Sequence, residues 1–329
     1  MLKEDTLDLL KAKKNLLAFS AGVDSSALFF LLQDANITFD IAIVDYGLRE
    51  QSKEEVRYAQ ELAHKYNLTC HVFSSPPITT NFEAKAREVR YAFFESLIKE
   101  HAYKNLLTAH HLGDRFEWML MQFCKGAGCV ELRGMQSVQK QQNYNLLRPL
   151  LDHDKSELLN YLIHHKIKYF EDLSNLDERF SRNVFRHQHT NPLLQKYLKG
   201  IKKSFHYLDE DSKELIKEVQ LRHVDNFCYF VSTQERRSDS YAVDKYLKSI
   251  GYILSANERS LLKQNTSLVV GRKYLVSFHE KYVFIAPFEK SNVSLPKEFK
   301  EKMRKLKIDP KLRVYFYTHL ELLESLALT

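Results

Sequence analysis

Short apolar runs alternate with longer amphipathic segments over residues 1–112. Each longer segment repeats its apolar positions every three or four residues, which is the spacing of a helix with one buried face. Because strands that alternate with helices connect through right-handed crossovers, the pattern predicts a doubly wound, mostly parallel α/β sheet. We expect strands over residues 16–20, 39–45, 70–74 and 105–109, and helices over residues 24–35, 51–67 and 82–102.

The pattern changes twice further along the chain. Residues 114–215 have mainly helical spacing, with a glycine-rich turn at 126–134 and a loop at 171–182. Beyond about residue 220, strand-like runs replace the helical spacing, and the last two are close enough to form a hairpin. These runs cover residues 227–232, 267–270, 274–278 and 282–287. We therefore expect two domains, an α/β domain with a helical extension over residues 1–215 and a smaller α+β domain over residues 216–329.

Composition agrees with a globular chain of two domains. The 329 residues are 44% apolar and 28% charged, which excludes disordered, collagen-like and coiled-coil proteins. The apolar runs are shorter than the ~18 residues that a membrane span needs, and the acidic N-terminus lacks the apolar core of a secretory signal. We expect a cytoplasmic protein that makes no membrane contact. The four cysteines form no C-x-x-C pair, which argues against a zinc site or a disulfide framework.

Positive charge is concentrated near the C-terminus. The net charge is +7, and residues 290–313 contain nine Lys or Arg residues against three acids. Such a surplus favours a polyanionic partner, with a solvated charged face as the alternative. The aromatic run at 313–317 is expected to form a buried strand, and the alternative is that its rings stack on unpaired nucleic-acid bases.

The strongest local signal follows the first predicted strand. It is the segment Ser20, Ala21, Gly22, Val23, Asp24, Ser25 and Ser26. A turn between a strand and a helix directs backbone N–H groups and the positive end of the helix dipole at one point, which suits a phosphate. The serine hydroxyls can donate to phosphate oxygens, and Asp24 can hold Mg²⁺. The alternative is a capped helix without a ligand. The segment matches neither G-x-x-x-x-G-K-S/T nor G-x-G-x-x-G.

This segment resembles the S-G-G-x-D-S signature of the PP-loop ATP pyrophosphatases, with Ala21 at the first glycine. Six further segments resemble, in order, the motifs of one family in that superfamily, the tRNA(Ile)-lysidine synthetases. They lie at residues 43–52, 108–117, 126–135, 147–151, 171–175 and 182–186. The second of these departs from the family pattern, because Gly113 replaces the first acid of a magnesium-binding pair and Arg115 replaces a glutamine.

The resemblance implies a Rossmann-like PP-loop domain that binds ATP at residues 20–26. It also implies that the chain adenylates the wobble cytidine of tRNA(Ile) with a CAU anticodon and joins free L-lysine there, releasing AMP and pyrophosphate. Cations must be in place where negative charge develops on the leaving pyrophosphate. The expected catalytic residues are Asp24, His110, Asp114 and Arg182, with Mg²⁺ on Asp24 and Asp114.

The remaining candidates are binding residues. Arg186, Lys125, Arg133 and Arg148 are expected to contact tRNA or phosphate, together with the basic C-terminal stretch. The carboxylates expected to bind the substrate lysine are Asp45, Glu117, Glu171 and Asp172.

Some alternatives remain open from the residues alone. His110 either acts at the α-phosphate or ends a strand with a bond to a backbone carbonyl. Arg182 and Arg186 either clamp a ligand or form a solvated basic face. The whole chain could also be another PP-loop tRNA-modifying enzyme, or a catalytically inactive tRNA-binding relative, as Gly113 suggests. The absence of C-x-x-C disfavours a sulfur-inserting enzyme.

Overall fold

A computed structural model describes residues 2–47, 50–171, 181–288 and 293–326. The contacts within the chain divide it into two units, Met1–Asp209 and Glu210–Thr329. The expected domain division after residue 215 lies close to this boundary and stays a prediction. In the described residues, no helix combines the length and the apolar content needed to cross a membrane.

The first unit is built on a six-stranded sheet. Its strands are β1 (Asn15–Ala18), β2 (Asp40–Asp45), β3 (Cys70–Ser74), β4 (Asn105–Leu107), β5 (Val138–Lys140) and β6 (Asn145–Leu147). They lie in the order β3-β2-β1-β4-β6-β5, and every pairing is parallel except that of β5 with β6. The doubly wound, mostly parallel sheet is confirmed. The sequence does not predict β5 and β6 within the mainly helical region expected over residues 114–215, because three residues are too few to show an alternating pattern and no helix separates the two strands.

Helices cover both faces of this sheet. The helices along this part of the chain are α1 (Glu4–Leu10), α2 (Val23–Asp34), α3 (Glu50–Lys65), α4 (Phe82–His101), α5 (Leu112–Phe123), α6 (Cys129–Leu132), α7 (Lys155–His164), α8 (Ser181–Phe185), a π-helix (Arg186–Thr190) and α9 (Asn191–Leu215). In β1, Leu17 packs with α2, α3 and α7, whereas Leu16 packs with α4 on the opposite face. Adjacent residues of one strand thus face two different cores, as expected for a sheet buried on both sides.

Three asparagines at the starts of neighbouring strands fix the register of the sheet. Asn15, Asn105 and Asn145 pair across β1, β4 and β6. The Asn105 amide donates to Asn15 Oδ1 at 2.8 Å, and the Asn145 amide donates to Asn105 Oδ1 at 3.1 Å. Because the starts of these parallel strands are aligned, their carboxyl ends reach the same edge, where open α/β sheets bind ligands.

The second unit is an antiparallel sheet with helices on both faces. The strands β7 (Arg222–Val224), β8 (Phe227–Val231), β9 (Ser267–Val270), β10 (Tyr274–Phe278) and β11 (Tyr282–Pro287) lie in the order β7-β8-β11-β10-β9. Its helices are α10 (Arg236–Ser249), α11 (Ala256–Gln264), α12 (Lys297–Lys305), α13 (Arg313–Thr318) and α14 (Leu320–Ser325). The α+β fold and the hairpin between β10 and β11 are confirmed.

The aromatic run at 313–317 forms helix α13, so the expected strand is wrong. Leu312 and Phe316, four residues apart, are both fully buried and pack in one core with Phe227. The Tyr315 ring stacks on the rings of Phe227 and His319. A separation of four residues between buried positions is helical, and five residues are too few to distinguish it from a strand.

Candidate active site

The segment at residues 20–26 forms the turn between β1 and α2. Gly22 is the N-cap residue of α2, and no described side chain caps this helix. Instead, Ser25 Oγ donates to the carbonyl of Gly22 and lies 3.0 Å from Ser20 Oγ. Ser26 Oγ is buried without a hydrogen-bond partner among the described residues. An uncapped helix N-terminus lined by serine hydroxyls is suited to an anion.

A neighbouring segment holds this turn in place. The N–H of Phe170 donates to the carbonyl of Ala21 at 2.9 Å, and Phe170 also forms a parallel bridge with Gly22. Ala21 is buried and has φ of 57°, in the left-handed region that favours glycine. The turn therefore keeps the backbone of the glycine signature although the chain has alanine there.

His111 brings the two predicted metal-binding aspartates together. It is the N-cap residue of α5, where its Nδ1 accepts from the N–H of Gly113 at 2.9 Å and its own N–H donates to Asp114 Oδ2 at 3.0 Å. Its Nε2 lies 3.6 Å from Asp114 Oδ2 and 3.9 Å from Asp24 Oδ2. Sequence reasoning selected His110 and missed His111, although a capping residue three positions before an acid is a recognisable helix-start pattern.

The two predicted arginines converge on one buried carboxylate. Glu117 is 1% exposed, and its oxygens accept from Nε of Arg182 and, at 2.8 Å, from Nε of Arg186. Arg186 Nη2 also donates to Asp114 Oδ1 at 3.0 Å. The solvated basic face is therefore excluded. Glu117 therefore holds both arginines, with both of its oxygens in use, and its expected role as one of four lysine-binding candidates stays a prediction.

The neighbours of Asp114 keep it ionised. Burial alone would raise its pKa, but electrostatic attraction to His111, His110 and Arg186 and the hydrogen bond from the His111 N–H outweigh burial and hold the pKa well below its usual range. Asp114 is thus a carboxylate at every pH at which the protein would work.

His110 bonds to a side chain and stays neutral. Its Nδ1 lies 2.9 Å from Thr108 Oγ1, so the expected alternative of a backbone carbonyl partner is not what the structure shows. Burial, together with the charges of Arg148, Arg87 and Arg182, lowers the pKa of His110 to about 4 against the opposing charge of Asp114. At neutral pH, His110 can donate or accept a hydrogen bond but does not supply the proton of an imidazolium.

The chemistry of Asp24 and Asp114 fits a magnesium ion. Asp24 Oδ1 is buried, and no described residue satisfies it. In the described part of the chain, no group of three or more His, Cys, Asp or Glu side chains is arranged to hold a metal ion. Mg²⁺ is commonly held by one or two carboxylates together with substrate phosphates, so two aspartates beside a phosphate-binding turn match its needs.

Lys155 is a second residue that sequence reasoning missed. It is the first residue of α7, its side chain is 53% exposed, and its Nζ lies 3.9 Å from Asp24 Oδ2. A flexible ammonium group at this distance can reach a phosphate bound at residues 20–26. A lysine in a helix 130 residues after the turn gives no local signal of this proximity.

The other candidates for contact with tRNA differ in how exposed their side chains are. Lys125 is exposed, and Arg133 is partly buried with its Nε donating to Asp209 at 2.8 Å. Arg148 is buried, and its guanidinium donates to the Gln136 carbonyl and the Gln139 side chain. These contacts enclose the guanidinium of Arg148, and its expected tRNA contact stays a prediction.

Two lysine-binding candidates remain at the edge of the sheet. Asp45 ends β2, and its Oδ1 accepts from the N–H of Gly47 at 2.8 Å. Glu171 is exposed, and its carbonyl accepts from Gln51 at 3.1 Å. Asp172 lies outside the described residues. The substituted Arg115 is buried and pairs with Asp209 at 2.7 Å, so it has a structural partner of its own.

Comparisons with known proteins agree with this architecture. A family model described as a PP-loop domain matches residues 2–193. The tRNA(Ile)-lysidine synthase of Helicobacter pylori is 42% identical over 312 residues, which cover 94% of this chain and 91% of that protein. The tRNA(Ile)-lysidine synthase of Wolinella succinogenes is 44% identical over 309 residues, which cover 94% of each. The similarity thus extends over residues of both units.

One solved structure shares the fold at low sequence identity. The U34-tRNA thiolase NcsA of Methanococcus maripaludis superimposes with a TM-score of 0.53 at 18% identity, over 64% of this chain and 76% of that one. At this identity the likeness shows a common fold.

Proposed function

Because the chain belongs to the tRNA(Ile)-lysidine synthase family of PP-loop enzymes, we propose that it uses ATP and free L-lysine to modify the wobble cytidine of tRNA(Ile) with a CAU anticodon. The observation that supports this most strongly is the meeting of the phosphate-binding turn with Asp24, Asp114 and the paired arginines. We place the reaction in the cytoplasm, where the tRNA is found.

The first half-reaction is adenylation of the cytidine. The base oxygen at C2 attacks the α-phosphate of ATP, and pyrophosphate leaves. Residues 20–26 bind the leaving pyrophosphate through N–H groups and hydroxyls, and Arg182 and Arg186 stabilise the developing charge. Asp24 and Asp114 would hold Mg²⁺, which neutralises phosphate charge when bound. Neutral His110 orients a phosphate oxygen by a hydrogen bond.

The second half-reaction joins lysine to the activated base. The ε-amine attacks C2 after losing a proton, and AMP leaves with the oxygen. Asp45 and Glu171 are the described carboxylates that fit recognition of the charged groups of lysine, because Glu117 is occupied by arginines. We keep both residues as candidates.

Contact with the tRNA backbone is assigned to exposed lysines. In the second unit, Lys297, Lys300, Lys302 and Lys305 are exposed along α12. In the first unit, Lys125 is exposed beyond the end of α5. Phosphate contacts of this kind are independent of base sequence and weaken as salt is added. Replacing two α12 lysines by glutamate should therefore weaken tRNA binding and reduce its salt dependence.

Transfer of labelled lysine to RNA tests the proposed function. Bulk tRNA is incubated with the enzyme and labelled lysine, with and without ATP. We expect ATP-dependent label in RNA and none with Asp24→Asn, although that variant should still bind tRNA. Pyrophosphate release without lysine transfer would indicate another PP-loop enzyme, and tRNA binding without pyrophosphate release would indicate an inactive relative.

A further inference from the structure

Gly113 stands where the resembled family has an acid, and the space beside it is filled by His111. A Cβ atom built on Gly113 would lie 2.6 Å from Cε1 and 3.0 Å from Nδ1 of His111. Atoms of a packed interior do not approach this closely, so any side chain at 113 would force the imidazole to move. The glycine and the observed position of the ring are therefore coupled.

The hydrogen bonds of His111 indicate which ring nitrogen carries the proton. Nδ1 accepts from the N–H of Gly113, so the tautomer inferred from this bond has its proton on Nε2. The buried Nε2 faces Asp114 Oδ2 at 3.6 Å and Asp24 Oδ2 at 3.9 Å. A protonated nitrogen is a donor and not a metal ligand, so the ring acts on the carboxylates themselves.

We propose that His111 is a positioning residue that compensates for the missing acid. Its Nε2–H lies 3.6 Å from Asp114 Oδ2 and 3.9 Å from Asp24 Oδ2, where its partial positive charge attracts both carboxylates without a direct hydrogen bond and keeps them close together for Mg²⁺. Gly113 provides the room that the ring needs. Two neighbouring carboxylates repel each other, and a donor between them reduces that cost before a cation arrives. Glycine is otherwise unfavourable within a helix, and the space that the His111 ring needs explains why a glycine lies in the first turn of α5. The inference rests on the metal role given to these aspartates in the proposed function.

A double-mutant cycle tests the coupling without turnover. The probe is α,β-methylene ATP, which cannot release pyrophosphate, and the quantity measured is the Mg²⁺ concentration for half-maximal binding. Gly113→Ala should raise that concentration about tenfold or more when His111 is present. In the His111→Ala background, the same change should have less than about a twofold effect. An equal effect in both backgrounds would overturn the proposal.

Two variants of His111 separate positioning from helix capping. Asparagine places an acceptor near the position of Nδ1 and no donor near Nε2, whereas glutamine does the reverse. We expect His111→Asn to keep the melting temperature while needing about tenfold more Mg²⁺. His111→Gln should melt lower and keep nearly the wild-type Mg²⁺ requirement. If the Mg²⁺ requirement follows the loss of the cap instead, His111 acts only as a cap.

The positioning role of His111 and the proposed function can be refuted independently of each other. Transfer of lysine by the wild-type enzyme tests the function, whereas analogue binding by the variants tests the positioning role. An enzyme that transfers lysine, with variants that bind Mg²⁺ and analogue normally, would overturn only the role of His111.

Discussion

Glu117→Gln removes the negative charge that Arg182 and Arg186 share. Both oxygens of this buried carboxylate accept hydrogen bonds from guanidinium groups. Breaking a buried ion pair by removing one partner costs about 3–5 kcal/mol. Both arginines are partly exposed, at 39% and 23%, so solvent screens part of the lost attraction. We therefore expect the free energy of unfolding to fall by about 2 kcal/mol.

Urea unfolding followed by tryptophan fluorescence measures this loss. The only tryptophan, Trp118, adjoins Glu117 in α5 and reports on the first unit. Glu83→Gln is the matched control, because Glu83 contacts the same Arg182 at 3.5 Å but is 64% exposed. The control should lose less than about 0.5 kcal/mol. If the two variants unfold at the same urea concentration, Glu117 does not anchor the arginines.

The rate of catalysis should also differ between Glu117→Gln and Glu83→Gln. Arginines released from Glu117 are no longer held beside Asp114, and misplacement of a catalytic group by about 1 Å can cost about a hundredfold in rate. Pyrophosphate release should therefore fall by about that factor in Glu117→Gln and remain close to the wild-type rate in Glu83→Gln. Equal rates in the two variants would refute the role of the shared carboxylate in positioning.

Three further perturbations test other parts of the structure. Lys155→Gln should raise the KM for ATP about fivefold, as expected for the loss of a partly exposed charge contact. Lys202→Gln is the control and should leave the KM unchanged, because Lys202 pairs with Glu157. Equal effects of the two substitutions would contradict a role of Lys155 in binding ATP. Acidification should destabilise the fold through His110, since its folded pKa of about 4 lies below the unfolded value of about 6.5. Its contribution is complete above about pH 6.5 and is lost as the pH falls toward 4, and His110→Asn should flatten this dependence in acid titrations followed by fluorescence. In calorimetry, Phe316→Ala should destabilise the second unit by about 3–5 kcal/mol, because Phe316 is fully buried, and Val314→Ala by less than about 1 kcal/mol. Similar losses for the two variants would contradict the packing of α13.

The elements that the sequence predicts best are those with a strong local pattern. The four strands of residues 1–112 are bounded by long amphipathic helices, and each has a continuous apolar run. The turn at residues 20–26 follows from its position between a strand and a helix. By contrast, β5 and β6 have three residues each and form a short antiparallel pair. Only β6 joins the rest of the sheet, by pairing with the distant strand β4, which local periodicity does not report.

The site was only partly predictable for a related reason. His110 and His111 are adjacent, and only the course of the chain at the start of α5 decides which ring faces Asp24. The sequence predicts Glu117 only as a lysine-binding candidate, because the two arginines that contact it in the fold lie about 65 residues later in the chain. Lys155 reaches Asp24 through the packing of α7 on α2. These contacts depend on tertiary structure, whereas the family resemblance identifies residue types in order along the chain.

The nucleoside at the wobble position of the CAU anticodon tests the central claim most directly. After incubation of unmodified tRNA(Ile) with the enzyme, ATP and lysine, the tRNA is digested and its nucleosides are analysed by mass spectrometry. We predict that cytidine is replaced by a nucleoside heavier by one lysine minus one water, only when ATP is present. Unchanged cytidine, or a nucleoside whose mass shows the addition of sulfur and not of lysine, would contradict the proposed function.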